Sequence, residues 1–301
     1  MGCIVSTRTL KSSGKNIKKY SPIDKILTSP CEVSHKSVIS DYMSLSCLGI
    51  GSFARVFRVH HIPSHSTRAM KVIKKCNLTH NQYTSNNTPQ EIYILSKLNN
   101  PYTTNFFEYF EDKKQYYIIT ELCEGHNLYD HILEKGLFNE KMASIIIKKI
   151  LQGLLYIHNL GIVHRDIKPE NVLFSSPFNL DIKIADFGGS CEIKPGQKLK
   201  GIFGSKYYLA PEVLNGRYNE KVDIWSCGIM TYVIITGKAP YEDIKDDDIS
   251  EVILKPFQLD DEKAKGFSEE CKDFIEKMIR IDPEERMSAK DALKHKWFKG
   301  V

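Results

Sequence analysis

The texture of this chain changes at Gly125, and that change limits the fold more than any other feature. Before it, apolar residues alternate or come in short β-branched and aromatic groups. Alternation around Gly49-Ile50-Gly51 and then Val56-Phe57-Arg58-Val59 predicts a hairpin, and Arg68 to Ile73 and Tyr116 to Ile119 predict further strands. A polar stretch from Asn77 to Thr88 reads as a loop, and Glu91 to Leu98 has helical spacing at Ile94, Leu95 and Leu98. After Gly125 the period becomes helical. Met142 to Ile157 carries a core face of Ile145, Ile146, Ile150, Leu151, Leu154 and Leu155. Helices are also expected over 222–236, 246–254, 268–279 and 288–297, the last capped by Ser288. The chain is therefore expected to be α+β: a small β-rich lobe with one helix, then a large α-helical lobe.

A chain of 301 residues can build two such cores, and 42% hydrophobic with 26% charged residues is ordinary for a globular protein. The longest nearly apolar run, Ile224 to Ile235, is too short to cross a bilayer and reads as a buried helix. No secretory signal is read at the N-terminus. The eight cysteines are scattered with no CxxC pair, which argues against a disulfide framework or a zinc site and for a reducing, cytoplasmic setting. The net charge of +5 is local. Residues 1–40 hold seven Lys/Arg and two acids, and the remainder is balanced, so no nucleic-acid partner is expected. Residues 1–41 read as a basic, flexible extension.

The chemistry is concentrated in a few short motifs. VHRDIKPENVLF, Val163 to Phe174, places Asp166, Lys168 and Asn171 in a proline-broken loop between two apolar anchors. It is either a plain surface turn or a phosphate site, in which an acid takes a proton, an ammonium holds anionic oxygens and an amide ligates a metal. LGIGSFARV, Leu48 to Val56, is a Gly-rich hairpin that is either a simple turn or a place where backbone N–H groups approach phosphates. Lys71, inside the apolar strand AMKVI, either snorkels to solvent or pairs with a carboxylate, for which Glu91 is the candidate. Glu91 equally fits a capping box in Thr88-Pro89-Gln90-Glu91. Asp186, in IADFGGS, leaves a second apolar strand and could converge with Asn171 on Mg²⁺. Asp223 inside an apolar helix requires buried hydrogen-bond partners, and Arg286 is a plausible mate for Glu212.

Taken in order, GIGSFARV, AMK, Glu91, HRDIKPEN, DFG, APE and DIWSCG resemble the eukaryotic protein kinases, over about Tyr42 to Phe298. ELCEGHNLYDHI and DALKHKWF look most like the calcium/calmodulin-dependent group and its calcium-dependent members. The resemblance implies a bilobal kinase domain over 42–298, with an N-lobe of 42–122 and a C-lobe of 123–298, using ATP and Mg²⁺ on protein Ser/Thr hydroxyls. It implies that Asp166 accepts the hydroxyl proton, Lys168 steadies the phosphoryl group, Lys71 grips phosphates and is oriented by Glu91, and Asn171 and Asp186 hold metal. It also implies a nucleotide site of Leu48, Gly49, Gly51, Ser52, Val56, Ala69, Lys71, Thr120, Glu121, Cys123 and Leu173, with Thr120 as a small gatekeeper. Ser205 stands where relatives carry a Thr that contacts the catalytic Asp. The rival reading is a kinase-like scaffold without activity.

Several positions depart from the pattern. Pro89 implies that the helix bearing Glu91 starts late or kinks. The stretch Gly189 to Phe203 has one hydroxyl, Ser190, so no phosphate is expected to be needed there, and Glu192 is the expected stand-in as a partner for Arg165. Asn127 replaces a substrate-reading Glu of basophilic relatives, while Glu124 and Glu170 remain. No D-x-[DN]-x-[DN]-G loop occurs, so the sequence gives no ground for direct calcium control. MGCIVS fits an N-myristoylation signal at Gly2, with Cys3 open to palmitoylation and Lys11, Lys15, Lys18 and Lys19 suited to an anionic membrane surface. The expected location is cytoplasmic and membrane-associated.

Overall fold

The computed structural model describes residues 18–20, 38–51, 54–240, 254, 257, 259 and 264–300. The acylation signal, Ser52 and most of the helix expected over 246–254 lie outside them. The chain forms two compact units, Met1–Lys97 with Asn105–Leu122, and Leu98–Thr104 with Cys123–Val301.

The first unit is built on one antiparallel sheet. Its strands are β1 (Lys18–Tyr20), β2 (Tyr42–Ile50), β3 (Ala54–His61), β4 (Ser66–Lys74), β5 (Phe106–Glu111) and β6 (Gln115–Glu121), in the order β1-β5-β6-β4-β3-β2. The expected hairpin is β2–β3. The sequence reading missed β5 and also β1, which lies in the stretch read as flexible and pairs Lys18 with Glu111 and Tyr20 with Tyr109. The register sorts the side chains. Phe57, Val59, Met70, Val72, Tyr117 and Ile119 share one face and pack with Tyr42 and Phe110. Arg58, Ala69 and Thr120 lie opposite one another, as do Val56, Lys71 and Ile118, so these six belong to the other face. At the sheet's packed face the Tyr42 hydroxyl donates to Glu108 Oε1 at 2.6 Å and accepts from Arg68 Nη1 at 2.6 Å, which provides partners for a buried carboxylate. Burial, then the hydrogen bond to Glu108, pushes the Tyr42 phenol up.

Among the unit's described residues the α-helix is α1 (Gln90–Leu95), which begins directly after Pro89, its N-cap at φ −54° and ψ 134° with no side-chain cap bond. The capping box read from Thr88 to Glu91 is therefore not formed. Proline shortens the helix to six residues because it favours extended backbone in the residue before it and lacks an N–H of its own.

The second unit is mostly helical. Its main elements are α2 (Leu128–Lys135), α3 (Glu140–Asn159), α4 (Pro211–Leu214), α5 (Lys221–Thr236), α6 (Glu269–Met278) and α7 (Ala289–Ala292). The short strands are β7 (Ile162–Val163), β8 (Val172–Phe174), β9 (Ile182–Ile184) and β10 (Cys191–Glu192), in two antiparallel pairs, β7–β10 and β8–β9. The helix α5 is the apolar run of the sequence; every residue from Val222 to Ile235 is buried. At Gly228 an added Cβ would lie 2.7 Å from Met278 Cβ, so only glycine lets α6 approach this closely. Ser288 caps α7 by accepting from Asp291 N, but the helix expected to run to 297 ends at Ala292, and Lys296–Phe298 is a separate 3₁₀ turn. Among the described residues no helix is long and apolar enough to cross a membrane.

Residues 98–104 were expected in the N-lobe, but they belong to the second unit. Backbone bonds from Ile184 N to Tyr102 O (2.8 Å) and from Thr104 N to Ile184 O (3.0 Å) tie them to β9, and Asn99 N donates to the Tyr156 hydroxyl on α3.

Candidate active site

In the first unit, Lys71 Nζ donates to Glu91 Oε1 at 2.6 Å, with the lysine side chain 21% and the glutamate 8% exposed. The late start after Pro89 does not prevent this pair, because Glu91 is in the first turn of α1. A lysine on the apolar face beside Val56 and Ile118 thus gains a carboxylate partner instead of snorkelling. Val56, Ala69, Lys71 and Thr120 share this face. Beside them, the Gly-rich hairpin closes with Gly51 N donating to Ala54 O at 2.9 Å. A Cβ built at Gly49 meets nothing within 4 Å among the described residues, so none of them requires glycine there; the bare backbone leaves room for a group from outside. Leu48 is half exposed on β2. Glu121 turns its carboxylate back to accept from Asn105 N at 2.6 Å and donates its own N–H to Asn105 O. The short Thr120 side chain is half-buried on β6.

In the second unit, the HRDIKPEN loop runs between β7 and β8. Asp166 is its centre. The Ser205 hydroxyl donates to Asp166 Oδ1 at 2.8 Å and accepts from Lys168 Nζ at 2.6 Å, while Lys168 Nζ lies 3.0 Å from Asp166 Oδ2. Asn171 Nδ2 donates to Asp166 O at 2.8 Å and to Oδ2 at 3.1 Å. The Asn171 amide nitrogen is thereby committed to Asp166, which leaves its carbonyl oxygen as the donor for a cation.

The loop is held from beneath by Asp223, 1% exposed on α5. Its carboxylate accepts from His164 N at 2.9 Å and Arg165 N at 2.8 Å, and His158 Nε2 lies 2.9 Å from Oδ2. These bonds fix Arg165 at φ +70°, a left-handed conformation a non-glycine residue rarely adopts. Burial pushes the Asp223 carboxyl up, but the hydrogen bond and charge of His158 and the His164 backbone bond together hold it below the usual range.

Asp186 follows β9. The antiparallel pairing of Val172 with Ile184 and the bond from Ala185 N to Asn171 O (2.9 Å) bring the start of β8 and the end of β9 side by side. Asp186 is left-handed at φ 60° and exposed, with Gly188 N donating to Oδ1 at 3.4 Å. A carboxylate and an amide oxygen at these adjacent strand ends are hard oxygen donors, the type Mg²⁺ takes. Leu173, half-buried on β8, forms a bridge to Asn127, and Cys123 precedes the tight contact in which Gly125 N donates to Phe174 O. Asn127 is the N-cap of α2, accepting from Asp130 N.

Arg165 is where the structure departs from the sequence reading. Its Nε donates to Gly189 O at 2.5 Å, its Nη1 to the Tyr218 hydroxyl at 3.4 Å, and its guanidinium carbon lies 4.0 Å from the centre of the Phe203 ring. Glu192, the expected stand-in, instead lies on β10 opposite Ile162. Ser190 is buried and donates to His164 O. The sequence reading assigned no role to Phe203, Tyr218 or His158. Their proximity to the loop depends on tertiary folding, and only the HRD arginine itself signalled that some partner was required.

Residues 42–298 match the protein kinase domain family. The chain belongs to that family. The kinase domain is 36% identical over 261 residues to calcium-dependent protein kinase 4 of Plasmodium falciparum (isolate 3D7), covering 86% of this chain and 49% of that protein. It is 38% identical over 270 residues to calcium-dependent protein kinase 3 of Plasmodium berghei (strain Anka), covering 87% and 47%. It is 37% identical over 255 residues to myosin light chain kinase A of Dictyostelium discoideum, covering 84% and 86%. The chain spans about half the length of the Plasmodium relatives it matches. The family has the bilobal α+β fold, and the two units correspond to its β-rich and helical lobes.

Proposed function

We propose that this kinase domain transfers the γ-phosphoryl group of ATP to serine and threonine hydroxyls of protein substrates. The observation that carries the reading is the convergence on Asp166 of Ser205, Lys168 and Asn171, with bonds of 2.6 to 3.1 Å among them. In the transfer, the substrate oxygen forms a bond to the γ-phosphorus as the bond to the β-phosphate oxygen breaks; the hydroxyl proton passes to the Asp166 carboxylate and ADP leaves. Lys168 lies beside the carboxylate and offers its ammonium to the phosphoryl oxygens. Lys71, oriented by Glu91, is the phosphate-binding cation of the first unit, and the open backbone at Gly49 leaves room for phosphate oxygens to approach the hairpin. Asn171 and Asp186 would hold Mg²⁺, which neutralises phosphate charge when bound. In the first unit the adenine contacts are assigned to Leu48, Val56, Ala69, Thr120 and Glu121; Cys123 and Leu173 belong to the second unit. The exposed acids Glu124 and Glu170 support a preference for basic peptides. The relatives' names point the same way, since all three are protein kinases.

The test is phosphorylation of a Ser/Thr peptide by purified protein, with Asp166→Asn as control. Activity in the wild type that falls by orders of magnitude in the variant supports the reading. ATP binding without transfer in either protein would support the scaffold instead.

The sequence MGCIVS supports a second part of the reading: tethering to anionic membranes through a Gly2 myristoyl group, a Cys3 palmitoyl group and the tail lysines. One acyl chain binds weakly, with a constant of roughly 10⁴ M⁻¹, so a second signal is needed. If Gly2→Ala protein remains in the membrane fraction, the tether is wrong.

A further inference from the structure

The Arg165 side chain joins the two ends of the stretch that separates Asp186 from Ser205. At one end its Nε bonds Gly189 O at 2.5 Å; at the other its guanidinium lies over the Phe203 ring at 4.0 Å. The junction beyond Phe203 is tight. Gly204 adopts φ +118°, and a Cβ there would lie 2.6 Å from Arg165 O, so the backbones of the HRD loop and of Gly204 are in contact. The next residue, Ser205, bonds both Lys168 and Asp166. The ring's seat is also specific: Gly201 adopts φ +86°, and a Cβ on it would meet Phe203 Cε2 at 3.0 Å.

We infer that Phe203 is a positioning residue for the transfer reaction, whose ring face receives the Arg165 guanidinium and so holds Ser205 against Asp166 and Lys168 without a phosphate. An aromatic face attracts a guanidinium through its quadrupole, and the attraction grows as water is excluded. Phe203 is 40% exposed, and the side chain it meets is that of Arg165, through which it acts. Pinning both ends of the 189–203 stretch to one side chain replaces an added anion with a residue already in the chain. The inference rests on the kinase reading above.

The test compares wild type with Phe203→Leu, Phe203→Trp and Phe203→Glu, each first checked for an unchanged thermal midpoint, in unphosphorylated protein verified by mass spectrometry. Phe203→Leu keeps apolar bulk and loses the ring. Its kcat is expected to fall about 3- to 30-fold, the range a cation–π contact supplies, with KM for ATP unchanged. Phe203→Trp should retain activity. Phe203→Glu, whose carboxylate can pair with Arg165, should recover most of what Phe203→Leu loses. A purely structural apolar role predicts the reverse order, with Glu worse than Leu. Phe203→Leu equal to wild type, or Phe203→Glu as impaired as Phe203→Leu, would overturn the inference. A wild type that transfers no phosphate to peptide would instead overturn the kinase reading itself.

Discussion

Arg286 grips Glu212 with two parallel bonds, Nη1 to Oε1 at 2.6 Å and Nη2 to Oε2 at 3.0 Å, and the arginine side chain is fully buried. The same guanidinium donates to the carbonyls of Arg280 and Lys221 and lies over Trp225. A planar fork with this many acceptors has no lysine equivalent. Arg286→Met, which removes the cation and leaves Glu212 uncompensated, should cost about 3–5 kcal/mol of stability, as expected when one partner of a buried pair is lost. Urea unfolding would measure it, and a cost below about 1 kcal/mol, the range of surface pairs, would show that the pair behaves like an exposed one.

Ser205 is the next position where chemistry and geometry meet. Its hydroxyl is the only group bonded to both Asp166 and Lys168 among the described residues. Ser205→Ala should lower kcat about tenfold or more, the worth of a hydrogen bond to a charged group, with little change in the unfolding midpoint. Ser205→Thr keeps the hydroxyl and should retain most of the activity. Steady-state peptide kinetics would check both.

Asp223 gives a pH dependence with a defined sign. Its folded-state pKa lies below the ordinary 3.8, so its stabilising effect is complete above that value and is lost as pH falls through the folded value. Asp223→Asn should cost about 3 kcal/mol at neutral pH, because an amide cannot accept from all the N–H donors that surround it. The loss relative to wild type should shrink below pH 3.8. Denaturant midpoints measured from pH 7 to pH 3 would show a constant gap if the carboxylate charge is irrelevant.

The thiols divide by burial. Cys47 and Cys76 are exposed, while Cys227 and Cys271 are buried, and burial pushes Cys271 up to about 12. A thiol-reactive chromophore should modify Cys47 and Cys76 in the native protein and reach Cys227 and Cys271 only on unfolding. Peptide mapping after brief labelling would check this; early labelling of Cys271 would mean that α6 opens readily.

What could be read from the sequence, and what could not, follows from where the constraint lies. Lys71 and Asp223 stood out because an isolated charge in an apolar element needs a partner, and Glu91 and the His158–His164–Arg165 group are those partners. The apolar run of α5 announced a buried helix by composition alone. By contrast, the end of α7 depends on how Trp297 and Phe298 pack on Phe274, which no local period records. The allegiance of residues 98–104 depends on backbone bonds to β9. The partners of Arg165 were hidden because an aromatic ring, a carbonyl and a phenol replace the anion that charge patterning would have sought.

The three-residue strand β1 is the short outer strand of the six-stranded sheet and covers part of β5. A bare rim of unpaired amides and carbonyls invites a second molecule to add its own strand. Shortened versions of this protein that begin at Tyr42 would lose that cover, and their tendency to self-associate in storage should rise with concentration, whatever their catalytic competence.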